Sequence, residues 1–559
     1  LVNQYFNTSD ANRYNHTCES CPLGGHCLGA EITWQDVLPK YGWWRLPYIN
    51  QTSNRSSALP PTCLTDYTRY PSNKGSTAPA CAFQRCLNPW ACWGKPNKDK
   101  FKFSNGTDPA EDFSKSINEQ GYFETSTSYI WNTQNETCDQ HHGYKNNCTD
   151  NDLNQVRCRL CATCDTGWKR AGSGTRCKKC PSSKNNKIML GVGGAVMVIA
   201  ATILVYMTIK AEGGQEDLSD SIKKILLNTL HMVSLAAALP LEWPREVVEM
   251  LEFFATLSTA GTTLLVPDCE LTHLRTADAF YLKQIGFTLL PIMIVINCIV
   301  AWQLLKYGCK CCIDRKNIKD YTILTIVLGL FLMYPLLVKA CFSMLKCHQV
   351  GQGTYLIADL EEPCFWSKEG ESSRHYFYFI LLTIPQLLVY VIGLPLSSFI
   401  LIKRASNETL HGDGVQDRSF HMRYGLLYLG YQEGREWWEV VIAVRKVFIV
   451  MIGTFGALFG AVDLQAYFAL LIVFFSVIAH LVGQPYDVKK RHMQLLHKLE
   501  FYALTICFFT FWGGLVFYLG SNVINNVARI TMSICIVLGN TGFLFAATYF
   551  FFRELLKEL

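Results

Sequence analysis

The chain has 559 residues, of which 50% are hydrophobic and 13% aromatic, and its formal net charge is +6. A charge this modest, without a contiguous block of one sign, excludes a polybasic nucleic-acid surface, and no nucleic-acid partner is expected. The hydrophobic residues are concentrated after residue 187, and the part before it is polar and rich in cysteine. We therefore expect two domains of opposite character, residues 1–186 and residues 187–559.

Cysteines and sequons place the first domain outside the cytosol. Fourteen of the 24 cysteines lie in the first 180 residues, an even number at a density typical of a disulfide framework in a secreted domain. The expected half-cystines are Cys18, Cys21, Cys27, Cys63, Cys81, Cys86, Cys92, Cys138, Cys148, Cys158, Cys161, Cys164, Cys177 and Cys180. The glycosylation sequons are Asn7, Asn15, Asn50, Asn54, Asn105, Asn135 and Asn147. We expect a small ectodomain of loops and β-strands.

Some cysteines of this domain could form disulfides or bind a metal ion. Short spacing makes Cys18–Cys27 and Cys164–Cys177 reasonable disulfides, although the full connectivity stays open. A zinc site can be written from four residues: Cys138, His141, His142 and Cys148. In a disulfide-dense secreted region, two half-cystines and two surface histidines are the favoured interpretation, so no metal is expected.

One stretch of the ectodomain has a recognisable cysteine spacing. Cys158, Cys161 and Cys164 follow one another at intervals of three, and Cys177 and Cys180 repeat that interval after Gly167. This pattern resembles the small disulfide repeats of the ephrin-receptor-like, EGF-related type. Such modules act as spacers or binding surfaces, which implies extracellular protein or glycoprotein partners.

The second domain is predicted to be an all-α polytopic membrane bundle of about nine helices. Crossing ~30 Å of hydrocarbon takes about 20 apolar residues, and backbone in lipid must be helical unless it closes a barrel. The apolar stretches are residues 188–209, 221–241, 280–305, 319–344, 375–403, 438–459, 463–484, 495–519 and 524–553. They are too long and too continuously apolar for barrel strands.

Lys and Arg bias orients these stretches. The basic connections 210–224, 306–319, 403–435 and 489–498 are assigned to the cytosol. The N-terminus is then extracellular and the C-terminus cytosolic, in a plasma or ciliary membrane. The abrupt first residue suggests the ordered part of a longer protein. Membrane lipids are the expected surroundings, and an oligomeric assembly stays open.

The sequon at Asn407 tests this orientation, because it lies in a connection that we assign to the cytosol. Glycopeptide mass spectrometry of the protein from a eukaryotic host should find Asn407 unmodified. At least four of the seven ectodomain sequons should be occupied. A glycan on Asn407 would reverse the orientation of the whole second half.

The connections carry three further features. Residues 243–268 are apolar but include three glutamates at helical spacing, which indicates an interfacial or re-entrant helix. Among the outer cysteines, Cys269–Cys364 is the expected bridge. The inner cysteines Cys309, Cys311 and Cys312 are candidates for palmitoylation, with unmodified juxtamembrane thiols equally open.

Ionisable and polar residues inside membrane helices are candidate functional residues. They are Asn228, Lys283, Lys339, Glu439, Arg445, Lys446, Glu500 and Arg529, with His231 beside Asn228. Glu439 and Lys446 are seven residues apart and share a helix face. We expect Lys446 to meet an acidic partner such as Glu500, and Arg445 to bind lipid phosphate at the membrane surface. An anchoring role and a pore, gating or ion-pair role both stay open.

Backbone and motif signals complete the membrane half. Pro335, Pro385 and Pro395 are expected to kink the fourth and fifth crossings. No GxSxG, HExxH or P-loop motif occurs in the sequence, so neither an enzyme nor a cofactor is expected.

Several segments together resemble the TRP-like transmembrane proteins of protists, algae and fungi. They are KKILLNTLHMVSL with LEWP (residues 223–244), PDCEL (267–271), YLGYQEGREWWEVVIAVRKVFIV (428–450) and GQPYD (483–487). The resemblance covers residues 190–555 and implies a nine-helix domain preceded by cysteine-rich modules. The connection 520–523 is too short for the pore helix that TRP channels place between their last two membrane helices.

Three functions follow from these patterns. The resemblance favours a cation channel or channel-like sensor that is gated or tethered through the ectodomain. A non-conducting anchor or receptor that holds an extracellular or ciliary-surface assembly is the alternative from another class. The third is a lipid transporter or scramblase.

Overall fold

A computed structural model gives the structure of the following residues: 4–7, 17–20, 25–26, 38–39, 42–45, 83–88, 91–92, 138–149, 155–170, 177–210, 218–236, 241, 243–258, 269–271, 274–308, 317–350, 353–365, 372–405, 415–455, 462–519 and 525–558. The chain divides into two compact units. Unit 1 consists of Leu1–Pro181, Asp268–Ala279 and Cys347–Phe377. Unit 2 consists of Ser182–Pro267, Phe280–Lys346 and Tyr378–Leu559. Two connections of the membrane half therefore belong to the first unit.

Unit 1 is built from short antiparallel strands. They are β1 (Gln4–Asn7), β2 (Thr17–Ser20), β3 (Gly25–His26), β4 (Leu38–Pro39), β5 (Trp43–Arg45), β6 (Phe83–Arg85), β7 (Asn147–Thr149), β8 (Gln155–Arg157), β9 (Trp168–Arg170), β10 (Cys177–Lys179), β11 (Cys347–Val350), β12 (Gly353–Leu356) and β13 (Asp359–Pro363). The first ten pair in sequence-adjacent twos, and the last three form one sheet. Sheets this small cannot bury much apolar surface, so cross-links must supplement the core.

Disulfides supply that support among the described residues of unit 1. The bridges are Cys86–Cys92, Cys138–Cys161, Cys148–Cys158, Cys164–Cys177, Cys180–Cys269 and Cys347–Cys364. They lie around a core that includes Trp44, Tyr144 and Leu160 from the N-terminal part, and Tyr355 and Leu360 from the β11–β13 sheet. The sheet in a membrane-half connection thus shares its core with the N-terminal cysteine-rich part.

The predicted bridge Cys269–Cys364 is wrong, since each of these cysteines has another partner. Cys364 follows β13, where its backbone N–H donates to the Thr354 carbonyl, and this local fold brings it to Cys347. Cys269 bonds instead to Cys180. The predicted Cys164–Cys177 bridge is present. The bonding of Cys18, Cys21, Cys27, Cys63 and Cys81 lies outside the described part of the chain.

Unit 2 is helical. Its helices are α1 (Ser183–Lys210), α2 (Leu218–Ala236), α3 (Arg245–Ser258), α4 (Thr276–Gly308), α5 (Ile318–Ser343), α6 (Arg374–Arg404), α7 (Val415–Tyr428), α8 (Trp438–Phe455), α9 (Val462–Gly483), α10 (Arg491–Leu519) and α11 (Asn526–Glu558). The largest hydrophobic core includes Met232, Leu251, Ala469 and Phe511 of α2, α3, α9 and α10. Outward-facing residues of the long helices are also apolar, as lipid contact requires.

A helix lies at each of the nine predicted membrane positions, but six helices among the described residues are long and apolar enough to cross a membrane. These six are α4, α5, α6, α9, α10 and α11. The other three helices are α1, α2 and α8. Of these, α2 carries Asp220, Lys223 and Lys224, and α8 carries Glu439, Arg445 and Lys446. Three charged residues are more than an apolar membrane span of 18 or 19 residues normally carries.

The predicted segment 243–268 contains α3, which begins at Arg245 and ends at Ser258. One face of α3 buries Val247, Leu251 and Phe254, whereas Glu246 and Glu249 are exposed. This is the amphipathic pattern of an interfacial helix. Residues 259–268 lie outside the described part.

Pro385 interrupts α6 in an unusual way. π-helical turns occupy Phe379–Thr383 and Gln386–Ile392 on either side of it. The widened turns present polar groups to α4: the Gln386 amide donates to the Thr288 hydroxyl, and the Tyr390 hydroxyl donates to the Thr288 carbonyl at 2.8 Å. Tyr334 of α5 donates to the Val391 carbonyl at 3.0 Å, which occupies one backbone acceptor in this irregular stretch.

A buried ionic cluster as the candidate functional site

The loops that carry two of the sequence motifs meet in unit 2. The loop after α7 contains GYQEGREWWE, and the loop after α9 contains QPYD. The Gln432 N–H donates to the Pro485 carbonyl at 2.7 Å, and the rings of Tyr431 and Tyr486 lie 5.5 Å apart. Motifs more than 40 residues apart in sequence therefore build one local structure.

Glycine is required at one position in each motif. Gly430 has a φ of 91°, and a Cβ there would approach the Ser221 hydroxyl of α2 to 2.1 Å. A Cβ at Gly483 would lie 2.3 Å from the indole of Trp438. Both approaches are closer than real side chains permit, so these glycines let the loops pack directly on α2 and α8.

Each tyrosine of the paired loops binds a buried carboxylate. The Tyr431 hydroxyl donates to Glu439 Oε2 at 2.7 Å, and the Tyr486 hydroxyl donates to Glu500 Oε2 at 2.8 Å. Burial raises the pKa of Tyr486 well above its ordinary value, and the charge of Glu500 raises it further. The hydroxyl therefore stays protonated and remains a hydrogen-bond donor at any physiological pH.

Two cations on α8 face the same carboxylates. Lys446 Nζ donates to Asn228 Oδ1 of α2 at 2.6 Å, and Asn228 Nδ2 lies 3.5 Å from Glu439 Oε1. Asn228 thus bridges an ammonium and a carboxylate that lie about two turns apart on α8. Arg445 Nη1 lies 4.0 Å from Glu500 Oε1 on α10. We call Asn228, Glu439, Arg445, Lys446 and Glu500 the ionic cluster.

The ionic cluster is buried and has equal numbers of acidic and basic side chains. It holds two carboxylates and two cations, and each of these four residues is less than a tenth exposed. A small cavity of about the size of one water molecule is lined by Asn228, Arg445 and Glu500. Buried Arg445 Nε has no hydrogen-bond partner among the described residues. A buried charge is tolerated only when it is compensated, so the four groups depend on one another.

Both predicted roles for the α8 cations need correction. Lys446 turns into the bundle as predicted, but its polar partner is Asn228 and not Glu500. Arg445 is buried and lies beside Glu500, so the prediction that it binds lipid phosphate is wrong. The physical reason is that α8 packs against α2, α5, α6 and α9. The sides of α8 that carry the two cations therefore meet protein, whereas Val444 and Phe448 form its exposed side.

The remaining polar candidates lie outside the ionic cluster. Lys339 is exposed on α5, and Lys283 and Arg529 are half-buried on α4 and α11. His231 is buried on α2, three residues beyond Asn228. The cysteines proposed for palmitoylation, Cys309, Cys311 and Cys312, lie outside the described residues, as does Asn407.

Sequence reasoning missed the role of Lys224. Its ammonium donates to the carbonyls of Leu426 and Leu429 at 3.1 and 2.8 Å, where α7 ends, and lies 4.9 Å from the centre of the Tyr431 ring. A cation is favourable at a helix C-terminus because it meets unpaired carbonyls and the negative end of the helix dipole. In the sequence, Lys224 ends a basic connection, and it was used only to assign that connection to the cytosol.

The helix α7 is also bonded to α5. Arg423 pairs with Asp320 of α5 at 2.6 Å, and the Ser419 hydroxyl donates to Asp320 at 2.8 Å. The short helix α7 is therefore bonded to both α2 and α5. Its last residues lead directly into the loop that holds Tyr431, so α7 positions one of the two tyrosines.

Unit 1 contains its own buried ion pair. Arg159 donates its backbone N–H and its guanidinium to Glu361 of β13, and the guanidinium stacks over the Tyr355 ring at 4.3 Å. Arg170 donates to the carbonyls of Ile357 and Ala162. These bonds join the cysteine-rich part to the β11–β13 sheet, and sequence reasoning had identified neither arginine.

The residues considered for zinc have other partners. Cys138 and Cys148 are half-cystines, His141 is exposed, and His142 pairs with Asp139. Within the described ranges there is no group of three or more side chains suited to a metal ion. Of the predicted glycan acceptors, Asn147 is exposed at the start of β7, and Asn7 lies in β1 with its side chain undescribed. Asn15, Asn50, Asn54, Asn105 and Asn135 fall outside the described residues.

Comparison with known proteins gives one relative. The chain is similar to Cysteine repeat modular protein A of Toxoplasma gondii, with 24% identity over 416 residues, which are 62% of this chain and 13% of that protein. The chain therefore spans about an eighth of the length of the curated relative that it matches. No family model and no solved structure matches the chain. Together with the disulfides and apolar helices, this similarity describes a membrane protein with a cysteine-rich ectodomain.

Proposed function

We propose that the protein is a non-conducting receptor or anchor, which holds a cysteine-rich ectodomain at a cell or ciliary surface and binds extracellular proteins or glycoproteins. The observation that carries this proposal is the composition of unit 1. Three separate chain segments form it, two of which are connections of the membrane half. A partner that pulls on the ectodomain would therefore pull on several membrane helices together.

The Cys180–Cys269 bridge makes this coupling covalent. It closes a loop with a sequence separation of 89 residues, which contains α1, α2 and α3. A force applied to the N-terminal part passes from Cys180 through the bridge to the segment before α4. The helices α1, α2 and α3 are removed from the path of the load. A load-bearing anchor benefits from such a bypass, because its first helices cannot be extracted singly.

Single-molecule force spectroscopy tests this arrangement. The chain, embedded in a lipid bilayer, is pulled by an N-terminal handle. With Cys180→Ser and Cys269→Ser, the extension before α4 unfolds should increase by about 300 Å, because the 89-residue separation becomes extensible at ~3.3–3.6 Å per residue.

The matched control removes a bridge that spares only a short loop. Cys164–Cys177 has a sequence separation of 13 and is not enclosed by another described bridge, so Cys164→Ser with Cys177→Ser should add about 45 Å. Equal extensions for the native bridge and the Cys180/Cys269 variant would show that α1, α2 and α3 are not shielded from load, and the anchor proposal would lose its main support.

The proposal includes nine crossings, an extracellular N-terminus and a cytosolic C-terminus. The helices α2 and α8 support it despite their charges, because Lys224, Glu439, Arg445 and Lys446 are buried within unit 2. A charged residue that is paired inside a bundle is compatible with a membrane-spanning helix. The TRP-like resemblance is part of the same proposal.

A cation channel or channel-like sensor is the second candidate. The observation that favours it is the ionic cluster, since buried charges in membrane helices often line ion pathways or gates. Recording from the purified protein in planar bilayers distinguishes the two proposals. We expect no unitary currents. Currents that disappear in Lys446→Met would favour the channel. Exchange of dye-labelled lipid between the leaflets of liposomes that contain the purified protein would favour lipid transport.

A further inference from the structure

The helix α4 packs against the described part of unit 2 along one side. Buried residues make up 6% of its apolar membrane stretch, against 33% for α5 and 50% for α10. Gln284, Thr288 and Trp302 form hydrogen bonds with side chains of α5 and α6. At about 100° per residue, these three positions lie about 140–180° around the helix from Asn297. The side of α4 that carries Asn297 therefore faces away from the described neighbours.

Asn297 is a polar side chain on this lipid-facing side. It is exposed, and it lies about 7 Å from the middle of the stretch 280–305, well within the ~15 Å half-thickness of the hydrocarbon. Its Nδ2 donates to the Met293 carbonyl of the same helix at 2.8 Å. The amide oxygen and the second amide hydrogen have no partner among the described residues. Such groups are costly in hydrocarbon, so Asn297 needs a partner that the described chain does not supply.

Two other asparagines of the membrane helices have the partner that Asn297 lacks. Asn228 of α2 accepts from Lys446 of α8, and Asn540 of α11 donates to the Thr510 hydroxyl of α10 at 2.9 Å. Both asparagines are buried between helices of the same chain. Asparagine in an apolar helix typically bonds to another helix in this way. The position of Asn297 thus indicates a helix that comes from outside the chain.

The residues around Asn297 have the spacing of a coiled-coil seam. Alternating intervals of four and three residues connect seven positions, which we call the α4 seam: Gly286, Leu290, Met293, Asn297, Val300, Leu304 and Tyr307. Six of them are exposed and Leu290 is half-buried. They fall within about 100° of the helix surface. In a heptad, Asn297 occupies an a position, and Met293 and Val300 occupy the d positions on either side of it.

We propose that α4 pairs with α4 of a second copy of this chain through the α4 seam, with the two Asn297 amides hydrogen-bonded to each other. Two copies in one membrane have the same orientation, so the helices are parallel. A two-fold axis then brings each seam residue to its counterpart. The amide is self-complementary because it has both a donor and an acceptor. One asparagine at an a position of a parallel pair fixes the register and the number of strands.

A second copy satisfies Asn297 where other surroundings do not. Lipid tails offer no hydrogen bond, and an unrelated protein would have to supply a matching polar group at the same depth. The α4 seam itself provides both halves of the contact. This inference goes beyond the receptor proposal and needs only that α4 crosses the membrane.

Förster transfer between copies in liposomes measures the pairing. The full chain carries a donor or an acceptor dye at its C-terminus and is reconstituted in phosphatidylcholine over a range of protein-to-lipid ratios. The native chain should show transfer that falls on dilution with lipid, and single-molecule photobleaching should show two steps. Asn297→Leu should weaken the dimer about 3- to 30-fold, the range that interhelical hydrogen bonds provide. Asn297→Gln keeps an amide and should bind more tightly than Asn297→Leu.

Matched controls separate the α4 seam from the rest of the lipid-facing surface. Gln303→Leu removes another exposed amide of α4, about 120° away from Asn297, and should leave the dimer within about twofold. Met293 and Ile292 are neighbours with exposures of 52% and 50%, but only Met293 belongs to the seam. Met293→Trp should therefore weaken the dimer about 5- to 150-fold by overpacking, and Ile292→Trp should have little effect.

Several results would overturn the proposal. They are a native chain that stays monomeric at every ratio, more than two bleaching steps, and a dimer that is insensitive to Asn297→Leu and Met293→Trp. Equal losses in Gln303→Leu and Ile292→Trp would also do so. A thermal melt at the highest lipid dilution tests the fold of the single copy, and Asn297→Leu should leave it unchanged. A lower melting temperature there would assign Asn297 to the fold of one copy and not to pairing.

Discussion

Replacing Glu500 by Leu is expected to destabilise unit 2 by about 3–5 kcal/mol, the usual result of removing one partner from a buried ion pair. Arg445 lies 4.0 Å from Glu500 and is less than a tenth exposed, so its charge would lose its nearby carboxylate. Arginine cannot release its proton to escape this cost. The Tyr486 hydroxyl would lose its acceptor as well. The single substitution therefore harms two buried groups.

Thiol reactivity provides the measurement. Cys341 and Cys507 are free and buried, so a thiol-reactive dye labels them only when unit 2 opens. The labelling midpoint in a temperature ramp should fall by about 5–10 °C for Glu500→Leu. Glu433→Leu, at an exposed position in the nearby loop, is the matched control and should change the midpoint little.

The double variant Arg445→Met with Glu500→Leu completes the cycle. Because it removes both charges, it should recover most of the stability lost in Glu500→Leu. A double variant that is as unstable as the sum of the two single variants would mean that Arg445 and Glu500 do not compensate each other. The ionic cluster would then consist only of Glu439, Asn228 and Lys446.

The second large effect is expected in unit 1, where Glu361→Leu should loosen the β11–β13 sheet. Glu361 accepts two donors from Arg159, and both residues are buried. Loss of the carboxylate leaves the buried guanidinium stacked on Tyr355 and in contact with the Leu360 carbonyl, without this acidic partner. The expected cost is about 3–5 kcal/mol. Hydrogen exchange of β12 and β13 should then be about 10²–10⁴-fold faster.

The control is an ion pair in the same unit that is open to solvent. Arg374 and Asp278 are 39% and 37% exposed, so Asp278→Asn should cost less than about 1 kcal/mol. If both substitutions accelerate hydrogen exchange equally, the buried Arg159–Glu361 pair stabilises unit 1 no more than the exposed Arg374–Asp278 pair does. The view that β11–β13 is fastened to the cysteine-rich part by this pair would then have to be abandoned.

Helix positions in unit 2 could be predicted from the sequence because they depend on local composition. A stretch such as 280–305 needs only to be apolar over about 20 residues, and α4 is found there as Thr276–Gly308. The charged helices α2 and α8 also formed at predicted positions. Their local pattern did not reveal that Lys224, Glu439, Arg445 and Lys446 are buried, because burial depends on which helices surround them.

The hydrogen-bond and disulfide partners of single residues could not be predicted, because they depend on how distant elements pack together. The motif tyrosines illustrate this: Tyr431 and Tyr486 resemble the interfacial tyrosines found at the ends of many membrane helices. Only the folded bundle shows that they donate to Glu439 and Glu500. The predicted Cys269–Cys364 disulfide was wrong for the same reason. The sequence assigned Cys180 to the ectodomain and Cys269 to a loop of the membrane half, and only the fold brings them together.

The three-segment composition of unit 1 has a consequence for the timing of biosynthesis. Its last segment ends at Phe377, whereas its first ends at Pro181, so about 200 further residues must be translated before unit 1 has all its parts. At 5–20 residues per second this takes about 10–40 s. Cys180 has no bonding partner until Cys269 is translated, 89 residues later, and Arg159 has no ion-pair partner until Glu361 is translated near the end of the interval. Unit 1 is therefore completed only after the segments that contain α1, α2, α3, α4 and α5 have been translated, and until Cys269 is translated the Cys180 thiol is accessible to the cell's folding catalysts.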